Sequence, residues 1–334
     1  LSAARADAFR ARTAMTNSTR RLAGSSFNDG PSPHRTVCKD QDDMTDLIQL
    51  LINGLAIGSV YALSAIGFVI VYSATGVVNF AAGQFVMFGT FVGVAMLLNA
   101  QSPWPVGYGA ALLAMALFGA LFFAVLYLPL RARPVVTIII GAVAIGITMQ
   151  NAALLAFGSW PFRLPSPLEG VNLTIAGATI SAHTVAVVIV TALMVALLWL
   201  LFFRTSLGIG MRAVAQDIKA ARLMGFKVNR LLAISWSLAA TLAGVAGLML
   251  GPMWFADTSM GDPIALKAFA ATIIGGFGSL PGAIVGGLFV GLSEVLGASY
   301  VSSAYKDLIS FGIMILFLLV RPQGVFGERV QDRS

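Results

Sequence analysis

The chain has 334 residues, of which 58% are hydrophobic and only 10% charged, with a mean hydropathy of +0.87. Soluble domains carry roughly 25% charged residues, so a soluble fold is excluded and a membrane protein with several spans is indicated. The net charge of +7 does not mark a nucleic-acid binder, because the cations neither gather on a soluble domain nor alternate with exposed aromatics.

The excess cations instead follow the bias of cytoplasmic loops toward Lys and Arg. A single cysteine, Cys38, excludes an internal disulfide, and the two isolated histidines, His34 and His183, argue against a His-based metal site.

Residues 1–43 differ in kind from the rest of the chain, with seven Lys/Arg, five Asp, much Ser, Gly and Pro, and no apolar run. Such a segment cannot bury enough apolar surface to order itself, and we expect a disordered N-terminal extension ahead of a native start at Met44. It lacks the continuous apolar core of a signal peptide, and its aspartates contradict a transit peptide.

From Leu47 to Leu130 there is no Asp, Glu, Lys or Arg, room for three spans of about 20 residues each. The first expected span, Leu47 to Tyr72, carries Gly54, Gly58, Ser59, Ala62, Ser64, Ala65 and Gly67. Small residues let helices approach closely in lipid, which predicts a core position. After Ser73-Ala74-Thr75-Gly76 a second span is expected from Val78 to Asn99, with Asn79 and Gln84 at its start. These two either bond a neighbouring helix or line a pathway.

A third span, Val106 to Leu130, stops at Arg131-Ala132-Arg133-Pro134, where two cations and a proline mark a boundary. The fourth, Thr137 to Phe157, contains the adjacent amides Gln150 and Asn151, and the Pro-rich loop to Ser181 has one cation and one acid. That balance places it opposite the basic loops. The fifth span is Ala182 to Phe203 and the sixth Leu231 to Gly251.

Between those two lies the polar interval from Arg204 to Arg230, with six Lys/Arg against one acid, Asp217. Asp217 followed by Ile218-Lys219-Ala220-Ala221-Arg222-Leu223-Met224 and then Gly225 has the pattern of a two-turn helix. Asp is a good N-cap and Gly the residue that closes a helix in the left-handed conformation. A helix of about 10 Å is too short to be stable alone, so we expect it to dock on a protein surface.

The loop from Pro252 to Pro263 carries Asp257 and Asp262 and belongs outside. Beyond it, Ala265 to Gly278 is apolar but short, Ser279-Leu280-Pro281-Gly282 is a break, and Ala283 to Ala298 is apolar again. Two short spans are the simpler reading; two half-helices meeting at the break are the alternative. Glu294 stands as an acid well inside an apolar segment, which is either functional or an interfacial structural group. A last short span, Asp307 to Val320, ends in Arg321-Pro322-Gln323-Gly324. The expected fold is an all-α polytopic membrane helix bundle of about eight or nine transmembrane segments, with short or broken helices near the C-terminal third. The membrane domain spans 44–325, with its central loop at 204–230 and a polar tail at 326–334.

Lys219-Ala220-Ala221 with Gly225 resembles the EAA---G loop of ATP-binding-cassette permeases, Lys standing where that loop has Glu. The chain from Met44 onward resembles LivH-type permease subunits of the branched-chain amino acid importers. Val78-Asn79-Phe80-Ala81-Ala82-Gly83-Gln84 is similar to the family's NFA-x-G segment, and Arg212-Ala213 through Asp217 and Gly225 to its cytoplasmic loop. Gly275 to Ala283 matches its Gly-rich segment and Arg321 to Gly324 its tail. Ala82 and Gln84 depart from it, since many members have His and Glu there.

The resemblance implies a non-enzymatic permease subunit in a bacterial inner membrane, with the basic loop and C-terminus cytoplasmic. It also implies a homologous second permease, two ATPase subunits carrying ATP–Mg, a periplasmic binding protein and contact with membrane lipid. No cofactor is expected on this chain, and independently no GxxxxGK[ST] phosphate loop occurs in it. The coupling candidates are Arg212, Asp217, Lys219, Ala220, Ala221, Arg222 and Gly225. The pathway candidates are Asn53, Ser59, Asn79, Gln84, Gln150, Asn151 and Glu294.

An ion-coupled secondary transporter is the competing expectation, resting on Glu294 and the break at Ser279. A membrane enzyme would need a cluster of His, Cys, Asp and Glu that the sequence does not supply.

Overall fold

The computed structural model describes residues 33–327 apart from 176 and 322, with side chains from Met44 onward except that of Ile175. The rest of the expected N-terminal extension, residues 1–32, and the end of the tail lie outside the described residues. Helical backbone starts at Pro33, ahead of Met44, in α1 (Pro33–Thr75). Then come α2 (Ala82–Val94, continuing as a π-turn to Asn99) and α3 (Trp104–Phe122, continuing through a π-turn to Leu130). They are followed by α4 (Val135–Phe157) and the hairpin of β1 (Asn172–Ile175) and β2 (Ala178–Ser181).

The second half runs α5 (Ala182–Arg204), α6 (Ser206–Gln216), α7 (Ile218–Leu223), α8 (Val228–Leu250), α9 (Gly261–Gly275), α10 (Leu280–Tyr300) and α11 (Lys306–Val320). Among the described residues, eight helices are long and apolar enough to cross a membrane: α1 to α5, α8, α10, and α11 with its preceding 3-10 turn. The polytopic helical bundle therefore stands as expected. The short apolar segment before the break is the exception, because α9 has 15 residues, about 22 Å against ~30 Å of hydrocarbon.

Packing explains how so short a helix is accommodated. Ile264, Ala268, Ala270, Ala271 and Ile274 of α9 are fully or almost fully buried. Main-chain contact with α10 is close enough that a Cβ on Gly286 would overlap the Ala271 carbonyl, and one on Gly275 the Gly282 carbonyl. With its backbone covered by protein, α9 needs no full crossing. The link between α9 and α10 turns on Gly276 and Gly278, at φ 105° and 87°, a region open to glycine without Cβ strain.

α1 forms the centre, as its small residues predict: Ala56, Val60, Tyr61, Ala62, Leu63 and Ala65 are wholly buried. It crosses α10 where a Cβ on Gly291 would overlap the Gly58 backbone. α8 packs between α2 and α3, where Phe122 meets Phe85 edge to face and stacks on Trp236, with ring centroids 4.8 and 5.4 Å apart. Helix α5 stands at the periphery and exposes Ile189, Leu193, Leu197, Trp199 and Leu200, an apolar face suited to lipid.

The two ends of the bundle are held by specific bonds. At one, Arg131 Nη1 donates to Asn229 Oδ1 (2.7 Å), and the tail closes on α9 through Val325 N to Ile274 O (2.9 Å) and Phe326 N to Gly275 O (3.0 Å). At the other, Phe162 bridges Ala256 in both directions (3.0 and 2.7 Å). There His183 joins Ser166 Oγ through Nδ1 and the Met249 carbonyl through Nε2, both at 2.9 Å. A carbonyl only accepts, so Nε2 carries the proton.

The second span differs from expectation at its start. Gly76 turns the chain at φ 70°, Asn79 Oδ1 accepts the Ala81 N–H (3.1 Å), and the helix begins at Ala82 rather than Val78.

Candidate functional site: a capped loop helix and two polar clusters

The polar interval after α5 folds into two helices, of which only the second was expected. Thr205 caps α6: its Oγ1 accepts from Gly208 N (3.1 Å) and donates to Leu201 O (2.6 Å). A Cβ on Gly208 would overlap the Leu201 carbonyl, so glycine is what lets α6 fold back onto the end of α5. Gly208, Gly210, Met211 and Val214 form its buried face. The Thr205 cap was a readable signal, but the two glycines broke up the apolar periodicity.

α7 is closed at both ends. Asp217 Oδ1 accepts from Lys219 N (2.7 Å) and Ala220 N (3.1 Å). At the C-terminus Gly225 sits at φ 86°, with Phe226 N donating to Ala221 O and Gly225 N to Arg222 O, both at 3.1 Å, the paired bonds of a Schellman motif. Ala221 is wholly buried, whereas Leu223 is 89% and Met224 66% exposed. Lys219, Ala220 and Arg222 are exposed too, so the helix sits on Ala221 and turns its other faces outward. Arg212 belongs to a different surface: its guanidinium lies 5.0 Å from the Phe203 ring centroid, beside an apolar cleft of about 550 Å³ that also takes in Ile70, Phe202, Met211 and Leu280.

The Ala220 N–H, and after it that of Lys219, hold the Asp217 carboxyl below the usual carboxylate range. Because the folded value is the lower one, the cap supports α7 above the ordinary Asp value of about 3.9 and is lost as pH falls through the depressed folded value. Amide exchange at residues 219 and 220 should therefore be slower than in Asp217→Ala by a constant ratio from about pH 7 to pH 5. That ratio should fall towards one in more acid solution; a ratio of one at neutral pH would remove the cap's role.

Between the helices lie two polar clusters. In the first, Lys267 of α9 is 2% exposed and bonds Glu294 of α10 (2.6 Å) and Asp307 of α11 (2.9 Å). Tyr61 of α1 donates to the other Glu294 oxygen (2.8 Å). Four helices thus meet at one ionic knot, and a charge this deep persists only when paired and hydrogen-bonded. Lys267 was not singled out in the sequence, where one cation among Ile, Ala, Leu and Phe carries no periodic signal.

In the second cluster, Gln84 at the start of α2 donates from Nε2 to Asp262 Oδ1 at the start of α9 (2.7 Å). Gln84 is 5% exposed, yet its Oε1 is buried without a partner, a defect that costs about 1–3 kcal/mol. A Cβ on Gly83 would overlap the Gly261 carbonyl, so the two helix starts touch.

Residues 50–318, which include both clusters and the capped loop, match the family described as the permease component of branched-chain amino acid transport systems. The chain belongs to that family. Among its relatives, the high-affinity branched-chain amino acid transport system permease protein BraD of Pseudomonas aeruginosa is 35% identical, covering 84% of this chain and 96% of its own. LivH of Escherichia coli, which carries the same description, is 34% identical over the same shares. Among solved structures, PsaBC from Streptococcus pneumoniae in complex with Fab aligns with a TM-score of 0.46 at 16% identity, over 86% of this chain and 98% of that one.

This permease subunit distributes its pathway candidates unevenly. Asn79 and Gln84 lie together at the start of α2, and a Cβ built on Gly146 of α4 would stand 3.4 Å from Gln84 Cγ. Gln150 follows Gly146 one turn along the same helix and is half-buried. Asn151 is exposed and bonds its own helix at Ile147 O (2.8 Å). Ser59 is buried in α1, Asn53 is half-buried one and a half turns away, and Glu294 belongs to the ionic knot.

Proposed function

We propose that this permease subunit serves an ATP-binding-cassette importer that moves branched-chain amino acids handed over by a periplasmic binding protein. A homologous second permease and two ATPase subunits complete the complex, and ATP–Mg is bound and hydrolysed on the ATPases. The carrying observation is α7: a helix capped at Asp217 and closed at Gly225, seated on Ala221, with Leu223 and Met224 left in the open. Two large apolar groups held out on so short a helix call for a protein partner, and Lys219 and Arg222 beside them suit an acidic rim.

That end of the bundle also carries Arg131 and the C-terminal tail. The positive-inside bias supports a cytoplasmic face in the plasma (inner) membrane for the basic loop and C-terminus. A rigid-body shift of the ATPases would pass through α7 to α6 and the spans.

The deciding experiment is leucine uptake into proteoliposomes holding the full complex, with a panel of amino acids, amides, urea and sugars as competitors. ATP-dependent uptake competed by isoleucine and valine is expected; competition by amides or sugars alone would reassign the cargo. The ionic knot and the glycine break after α9 favour one second reading, ion-coupled transport. Uptake that survives without ATP and collapses with the proton or sodium gradient would select it.

A further inference from the structure

The Gln84–Asp262 pair has a shape that neither helix packing nor the loop explains. Asp262 is an exposed carboxylate in the first turn of α9, a short helix whose later residues are buried by protein, and a carboxylate does not face hydrocarbon. Its outward side therefore faces water or another subunit. Behind it, Gln84 uses its amide N–H on Asp262 and points its oxygen at Gly261, where a Cβ would come within 2.5 Å of it. Of the four buried side-chain polar atoms without a partner among the described residues, this oxygen is the one that can only accept.

Around the pair, α2 begins at Ala81 and α9 at Met260 without a side-chain bond from the N-cap residue. Asn79 takes the Ala81 and Ala82 N–H groups, and the next ones, of Gly83 and Gln84 in α2 and of Gly261 and Asp262 in α9, present positive partial charge.

We infer that Gln84, Asp262 and the two helix starts form the transit site for the zwitterionic head group of the cargo. Asp262 and Gln84 Oε1 take its ammonium, and the α2 and α9 N-termini take its carboxylate. An ammonium is donor-only and satisfies both acceptors at once, which a second carboxylate or a sugar hydroxyl does not do. The buried oxygen becomes reachable when the start of α9 parts from α2, so the site opens in a different conformation of the bundle. Separation at two touching glycines, Gly83 and Gly261, costs few side-chain contacts. This site rests on the reading of the chain as an amino acid permease.

The test is the amount of leucine carried per ATP hydrolysed by the full complex in proteoliposomes, for wild type, Asp262→Asn, Asp262→Glu and Gln84→Leu. Asp262→Asn, nearly isosteric and at an exposed position, is expected to lower that ratio at least tenfold, with Asp262→Glu recovering most of it and Gln84→Leu intermediate. Uptake and hydrolysis falling together, with the ratio unchanged, would make the pair structural and overturn the site; so would wild-type uptake in Asp262→Asn. Loss of wild-type uptake when sodium is replaced by choline would assign the acceptors to a metal cation and overturn the ammonium site. A wild-type complex that moves no amino acid with ATP would defeat the permease reading itself.

Discussion

Lys267→Met is expected to lose about 3–5 kcal/mol of folding stability, the cost of leaving a buried charge without its partner. Glu294, with a side chain 5% exposed, would keep only the Tyr61 hydroxyl as a donor. Asp307, half exposed, can turn to water and loses little. The loss should appear as a lower thermal midpoint and a smaller monodisperse fraction in mild detergent.

The double variant Lys267→Met/Glu294→Gln removes both buried charges and is expected to recover more than half of that loss, because a neutral amide can still accept from Tyr61. Such non-additivity is the signature of a coupled pair. Equal stability of Lys267→Met and wild type would mean that the knot contributes nothing to holding α1, α9, α10 and α11 together.

The second large effect is expected at Gly225. Nothing lies within 4 Å of a Cβ built there, so space is not the obstacle to Gly225→Val; the backbone at φ 86° is. A β-branched residue in that region costs roughly 1–3 kcal/mol, enough to fray a six-residue helix that cannot stand alone. Leu223 and Met224 then lose their fixed position. Leucine carried per ATP should fall about tenfold, the factor that corresponds to 1.4 kcal/mol. Gly225→Asn, which tolerates the left-handed conformation, should keep most of the coupling. Membrane yield should match wild type in both variants, since the residue lies outside the spans. Normal coupling in Gly225→Val would sink the proposed role of α7.

Much of the fold could be read from residue order, since lipid demands long apolar runs. α5 runs from Ala182 to Arg204, one residue past expectation. Gly225 and Asp217 were equally legible, as caps act within one helical turn. The start of α2 was not: Val77 and Val78 continue the apolar run, and the Asn79 side chain overrides it by taking a backbone N–H. α6 was missed because Gly208 and Gly210 are there for close packing on α5 and interrupt the periodicity that marks a helix.

Hydropathy, small-residue content and capping chemistry by themselves determined that this chain lives in a membrane, where its long spans lie, and where the loop helix begins and ends. Each of these signals is local, acting over a turn or a bilayer's thickness. Tertiary structure alone decided that α9 is a short helix wrapped by protein, that Glu294 answers to Lys267 and Tyr61, and that Gln84 meets Asp262. Those pairs join residues far apart in the chain, and a buried charge or amide is defined by its partner, which only the packing of the helices supplies.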